Sequence, residues 1–270
     1  MNMVEPSYVA STLTGILYGV LAWFPVALNG AFISKILSSI DPNMGNHVVP
    51  AYLGMMLAVL FYFREPIERA IQMLFRRHAG ADIKFLFYAS IFTLIVGYPL
   101  YTGLSTKLSP AQSDAANAII GLVITAVALL KIDKKSRIQK LESGMRERRD
   151  EPTLVDSILT GITQGTAFIG GISRSGMTLI PLILSGINIR KVLELSFLLA
   201  PIYLFLRLLF IGEYTPPSPV DSFIVFTASF VGSIITMHFL LKLGDRLGRR
   251  GVGAVFGFVA VSVYVLGVIM

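Results

Sequence analysis

Residues 154–187 read LVDSILTGITQGTAFIGGISRSGMTLIPLILSGI. The stretch is apolar at both ends and is broken in the middle by Gly170, Gly171 and the polar run Ser173-Arg174-Ser175-Gly176. Unbroken, it would exceed the roughly 20 residues a helix needs to cross a bilayer. A polar break inside lipid frees backbone groups, and these are tolerated only where protein or a water-filled cavity satisfies them. The stretch therefore reads as a re-entrant helical hairpin whose turn lies within the membrane. A second apolar stretch, residues 13–37, is broken in the same way by Pro25, Asn29 and Gly30.

The two broken stretches are copies of one another. Ser11-Thr-Leu-Thr-Gly-Ile16 recurs as Ser157-Ile-Leu-Thr-Gly-Ile162, at an offset of 146 residues. At the same offset Gly19 falls on Gly165 and Gly30 on Gly176, so seven of the twenty positions from 11 to 30 are identical. Each copy is followed by three apolar runs of spanning length, at 48–63, 85–104 and 115–132, then at 193–211, 222–241 and 252–270. The expected fold is all-α and membrane-integral, with six spanning helices and two re-entrant hairpins. The expected units are a first repeat at 1–135, a basic connector at 136–152 and a second repeat at 153–270. Three spans per repeat is odd, so the repeats lie in the membrane with opposite orientation, a plan that places a site at the repeat interface.

Composition agrees. Hydrophobic residues make up 54% of the chain and charged residues 14%, with a mean hydropathy of +0.71, whereas soluble domains carry about 25% charged residues. The N-terminal residues lack the basic flank of a cleavable signal peptide. Cysteine is absent, which excludes disulfides and thiolate metal sites. Nineteen of the 23 Lys and Arg residues fall on loops that threading places on one face. The positive-inside rule makes that face cytoplasmic, with the central loop inside and both termini outside a cell (plasma) membrane. The net charge of +7 then follows from topology and anionic inner-leaflet lipid, without nucleic acid as a partner.

Chemistry concentrates in residues 170–178. Arg174 keeps its charge at membrane depth, where a charge marks function by default. Gly171 and Gly176 let the backbone approach a ligand, Ser173, Ser175 and Thr178 add hydroxyls, and a helix starting near Ser175 would aim its free N–H groups at an anion. The set describes a phosphate cradle. The alternative role for Arg174 is an internal salt bridge to Glu194 that braces the hairpin. His47, His78 and His238 stand at unrelated positions and form no metal-ligand pattern.

The segment 170–178, followed by Glu194-Leu-Ser-Phe-Leu-Leu-Ala200, resembles the second-half signature of the undecaprenyl pyrophosphate phosphatases, the bacitracin-resistance membrane proteins. The resemblance covers essentially the whole chain. It implies an isoprenoid lipid phosphate or diphosphate as partner, Arg174 as its holder, and Glu194 and Ser196 on the helix after the hairpin as supporting residues. It also implies a divalent cation, Mg or Ca, if the chain is a phosphatase. Members typically carry two glutamates four residues apart, then a serine pair, threonine, glycine and histidine. Here those positions hold Tyr18, Ala22, Ala27, Leu28, Asn29, Gly30 and Ala31. Pro25 and Gly30 remain, while the acid, base and nucleophile candidates do not. Tyr18, Asn29 and Gln164 are left as polar candidates beside the breaks. Two functions follow. One is binding or translocation of the lipid phosphate with hydrolysis lost; the other is a polyprenyl-diphosphate phosphatase with a rearranged site. A homodimer is left open.

Overall fold

A computed structural model describes residues 5–42, 44–75, 80–103, 108–130, 151–212 and 214–269. Residues 131–150, most of the expected connector, lie outside the described residues. Regular structure among the described residues is helical throughout: α1 Glu5–Leu21, α2 Ala31–Ile40, α3 Val48–Tyr62, α4 Arg64–Phe75, α5 Ala81–Gly103, α6 Pro110–Leu129, α7 Leu154–Thr166, α8 Arg174–Leu184, α9 Ile189–Leu198, α10 Ala200–Leu209 and α11 Pro219–Ile269. The starts are written locally. Ser109 and Thr153 form capping boxes with Gln112 and Asp156, and Ser173 accepts from the Gly176 N–H at the head of α8.

Five helical segments are long and apolar enough to cross a membrane: Gly45–Tyr62, Ala81–Gly103, Pro110–Leu129, Ile189–Leu209 and Pro219–Ile269. This is a multi-pass, all-α membrane protein. Helix α11 has 51 residues but is not one rod, because Gly248 has φ 63° and ψ −171°. As a straight helix it would reach about 76 Å, far beyond the roughly 30 Å of a hydrocarbon core. Gly248 divides it into apolar arms, 219–247 and 249–269, which match the last two expected runs. Each broken stretch is a pair of short helices, α1 with α2 and α7 with α8. Helix α4 was not anticipated, since its stretch reads as a basic loop. Ile67 packs toward the core while Glu65, Glu68 and Arg69 face out, so amphipathic spacing carries the helix.

Glycines set how these helices meet. A methyl group at Gly161 would strike the Ala89 carbonyl and Phe92 of α5, and one at Gly165 would strike Val96. At the positions 146 residues earlier, Gly15 is pressed against Val225 and Ala228 of the 219–247 arm, and Gly19 against Ser229. Side-chain hydroxyls cross these seams: Thr93 donates to the Gly161 carbonyl at 3.3 Å and Ser233 to the Gly19 carbonyl at 3.2 Å. The arm 249–269 and α6 meet through Gly121, Gly253 and Gly257. Lipid gives apolar side chains no reason to leave it, so close backbone approach and interhelical hydrogen bonds hold such helices together. Replacing Gly161 or Gly15 by Val should destabilise the fold by about 1–3 kcal/mol through overpacking. Gly103 has nothing within 4 Å of an added Cβ, and Gly103→Ala should leave the melting temperature in detergent near wild type.

Candidate functional site

The two breaks meet, and the meeting is made of hydrogen bonds. Ser173 and Ser175 both donate to the Phe24 carbonyl, at 3.1 and 2.5 Å, so the second break satisfies a group freed by the first. Gly170 and Gly171 have φ of 80° and 87°, which side-chain-bearing residues rarely adopt. This conformation turns the Gly171 carbonyl toward α6, where it accepts from Ser113 at 2.6 Å and from the Asn117 side-chain amide at 2.7 Å. The Asn117 oxygen accepts the Ser173 N–H at 2.7 Å. One buried amide thus fixes both sides of the turn that carries Arg174.

Beside this junction lies a cavity of about 350 Å³, walled by both breaks, the start of α3 and the end of α10. Arg174 lines it and is 7% exposed. Its guanidinium donates to the Ser196 carbonyl at 3.0 Å and stands 5.4 Å from the centre of the Trp23 ring. Trp23 is held in turn by an edge contact with Phe197. A desolvated cation over an aromatic face gains up to about 2 kcal/mol, and no carboxylate pairs with Arg174 among the described residues. A second guanidinium, Arg207 of α10, lines the same cavity, as does Tyr52 of α3. Tyr203 lines the cavity as well and donates its hydroxyl to the Ala167 carbonyl at 3.1 Å.

The structure divides the sequence candidates. Arg174, Ser173, Gly171, Tyr18 and Asn29 line the cavity. Ser175, Gly176 and Thr178 are buried but do not line it. Ser175 is committed to Phe24, Gly176 packs on Ile120 and Pro25, and Thr178 shares a hydrogen bond of 2.7 Å with Ser196. These residues set the position of Arg174 rather than reach the open space. Glu194 stands in a different groove and pairs with Arg190 at 3.1 Å, so the internal Arg174–Glu194 salt bridge does not form. Gln164 is fully buried, and neither atom of its side-chain amide has a partner among the described residues. Arg207, Tyr52, Ser113 and Asn117 were not among the candidates. The signal for Arg207 was visible, a permanent charge in an apolar run. Asn117 offered only a polar side chain inside a span.

The cavity wall, as described, holds two arginines, three tyrosines and hydroxyls, but neither a carboxylate nor an imidazole. Among the described residues no three His, Asp or Glu side chains gather as metal ligands. These residues do not fit a divalent cation held by the protein, which takes carboxylate oxygens by preference. They fit an anion.

Fold and site together define a polytopic membrane protein with a doubly cationic cavity at the junction of two broken helices. The chain belongs to the bacitracin resistance protein BacA family, whose sequence profile matches residues 11–265. It is similar to proteins named undecaprenyl-diphosphatase. With that of Methanopyrus kandleri it shares 30% identity over 267 residues, 94% of each chain. With that of Haloarcula marismortui it shares 28% over 258 residues, covering 91% of this chain and 93% of the relative. With that of Bdellovibrio bacteriovorus it shares 27% over 259 residues, covering 92% and 91%.

Asn117→Leu should be costly. It leaves the buried Ser173 N–H without its partner and deprives the Gly171 carbonyl of one of its two donors, and an unsatisfied buried group costs about 1–3 kcal/mol. The expected result is a lower melting temperature together with weaker isoprenoid-phosphate binding. Asn117→Ser should restore neither, because its side chain cannot span both groups.

Proposed function

We propose that this protein binds the phosphate end of a long isoprenoid diphosphate lipid in the cavity walled by both helix breaks. The observation that carries the proposal is the pair of guanidiniums, Arg174 and Arg207, lining one intramembrane cavity without a carboxylate partner among the described residues. A fixed charge at that depth is expensive and is retained where it meets an opposite charge. The names of the relatives supply the lipid class.

The same names favour hydrolysis as the step after binding, and they weigh more for a diphosphatase than for a protein that only binds. The wall itself lacks groups for fast turnover. Cleaving a phosphoanhydride needs charge stabilisation and a positioned nucleophile or base. Positions 22, 27, 28 and 31 hold Ala, Ala, Leu and Ala, which leaves Ser173 as the serine of the wall beside Arg174. Slow hydrolysis is the outcome both lines support. Translocation is favoured by a further observation. A groove of about 710 Å³ lies at the opposite ends of α3 and α9–α10. Gly45, Val48 and Tyr52 of the cavity fall, 146 positions later, on Lys191, Glu194 and Leu198 of that groove.

The topology that accommodates this has six crossings, with the arms of α11 counted separately, and two re-entrant hairpins related by an inverted repeat. The boundaries are 1–135 and 153–270 with the connector between them. The equivalent seams at Gly15 and Gly161, and at Gly19 and Gly165, support it. The basic loops then face the cytoplasm and its anionic lipid, and the termini face outside.

Phosphate release from a polyprenyl diphosphate by purified protein tests the proposal alongside a direct binding measurement. Arg174→Ala should weaken binding about tenfold or more, the loss of one or two charge-assisted hydrogen bonds. Wild-type release should be slower by about a hundredfold or more than in a member that keeps both first-half glutamates, given what single catalytic groups contribute. Fast release that Arg174→Ala abolishes would establish full diphosphatase chemistry. No binding of lipid phosphate by wild type would end the proposal.

A further inference from the structure

Arg207 is a cation that the second-half motif does not account for. It lies in the last turn of α10, where the ordinary roles of an arginine are to neutralise the helix end or to extend toward headgroups. Its surroundings fit neither role. It lines the same cavity as Arg174, in company with Tyr52 of α3. A phenolic hydroxyl is a donor, and Tyr52 lines the space an anion would occupy. Tyr203, one helical turn before Arg207, also lines the cavity, with its hydroxyl committed to the Ala167 carbonyl at 3.1 Å.

Charge accounting makes the pair informative. The wall carries two fixed positive charges and, among the described residues, no negative one. Asp41 does not line the wall and pairs with His47 at 2.5 Å. A monophosphate ester would leave part of this charge unmet, whereas a diphosphate ester spreads its charge over two phosphorus centres and meets both guanidiniums. Elsewhere, a wall holding diphosphate could recruit a divalent cation through carboxylates; this wall has none to offer.

We propose that Arg207, with Tyr52, forms a second anion subsite that holds the distal phosphate of a diphosphate ester and does so without a protein-bound divalent cation. Arg174 holds the other phosphate. The proposal rests on the function proposed above and adds to it a residue for the second phosphate and an independence of metal.

Farnesyl diphosphate and farnesyl monophosphate serve as probes, with binding to the full chain in nanodiscs measured by calorimetry in EDTA and again in magnesium. Wild type should bind the diphosphate equally well in both buffers. Arg207→Gln should weaken diphosphate binding about tenfold or more, as the loss of a charge-assisted contact does, while moving monophosphate binding less than about threefold. Arg174→Gln should weaken both probes. Arg207→Lys, which keeps the charge but not the fork, should fall between wild type and Arg207→Gln for the diphosphate; it decides the question if Arg207→Gln does not fold. An equal loss for both probes would make Arg207 structural and overturn the subsite. So would no loss, or wild-type binding that appears only with magnesium. Failure of wild type to bind either probe would instead remove the underlying function.

Discussion

A helix broken inside lipid leaves carbonyl and amide groups with no solvent to take them, and every such group needs a protein partner. In this protein the two breaks supply one another. The Phe24 carbonyl of the first receives Ser173 and Ser175 of the second, and the Gly171 carbonyl of the second receives Ser113 and Asn117 of α6. The hairpins are thereby tied into one unit, and the cavity is the space left beside the tie. Most of the hydroxyls near Arg174 are consumed in making it, so the open wall is poorer in donors than the sequence suggests and depends more heavily on its two guanidiniums.

The packing of the surrounding helices follows from that constraint. The short helices of the two broken stretches press against longer ones. α7 takes α5 from the other half of the chain, and α1 takes the 219–247 arm. Each hairpin is therefore clasped by the half to which it does not belong. A shift between the halves would move the breaks relative to the cavity wall, and this couples the seams at Gly15 and Gly161 to the position of Arg174.

How much of this was legible in the sequence depends on the kind of signal. Gly170, Gly171 and Arg174 stand out because each is chemically wrong for an uninterrupted apolar helix, and the structure puts all three at the cavity. The offset of 146 was legible because it is a property of spelling. Direction was not. Thr178 and Glu194 are close to the motif in sequence, yet a helix turns about 100° per residue. The Ser196 carbonyl therefore reaches Arg174 while the Glu194 side chain faces Arg190. Asn117 acts across more than fifty residues of chain, and no local pattern announces such a contact. Arg207 lay between the two cases, conspicuous as a charge but with nothing in the sequence to say what it faced.

The two helix starts at the breaks differ in the charge that lies against them. A helix N-terminus is a ready site for an anion, and both α2 and α8 begin at the breaks. At α2 the place is taken from within. The buried carboxylate of Asp114 lies against Gly30 and accepts the Phe32 N–H at 3.1 Å. At α8 no acid of the described chain approaches; Ser173 caps the first turn and Arg174 is the first helical residue. An anion entering from outside would meet the Asp114 charge at one start and the Arg174 charge at the other. The asymmetry of charge therefore does not require that the first half lost its shape. Pro25 and Gly30 keep the break, Asp114 fills the helix start from inside, and the positive side of the cavity falls to Arg174 and Arg207 of the second half.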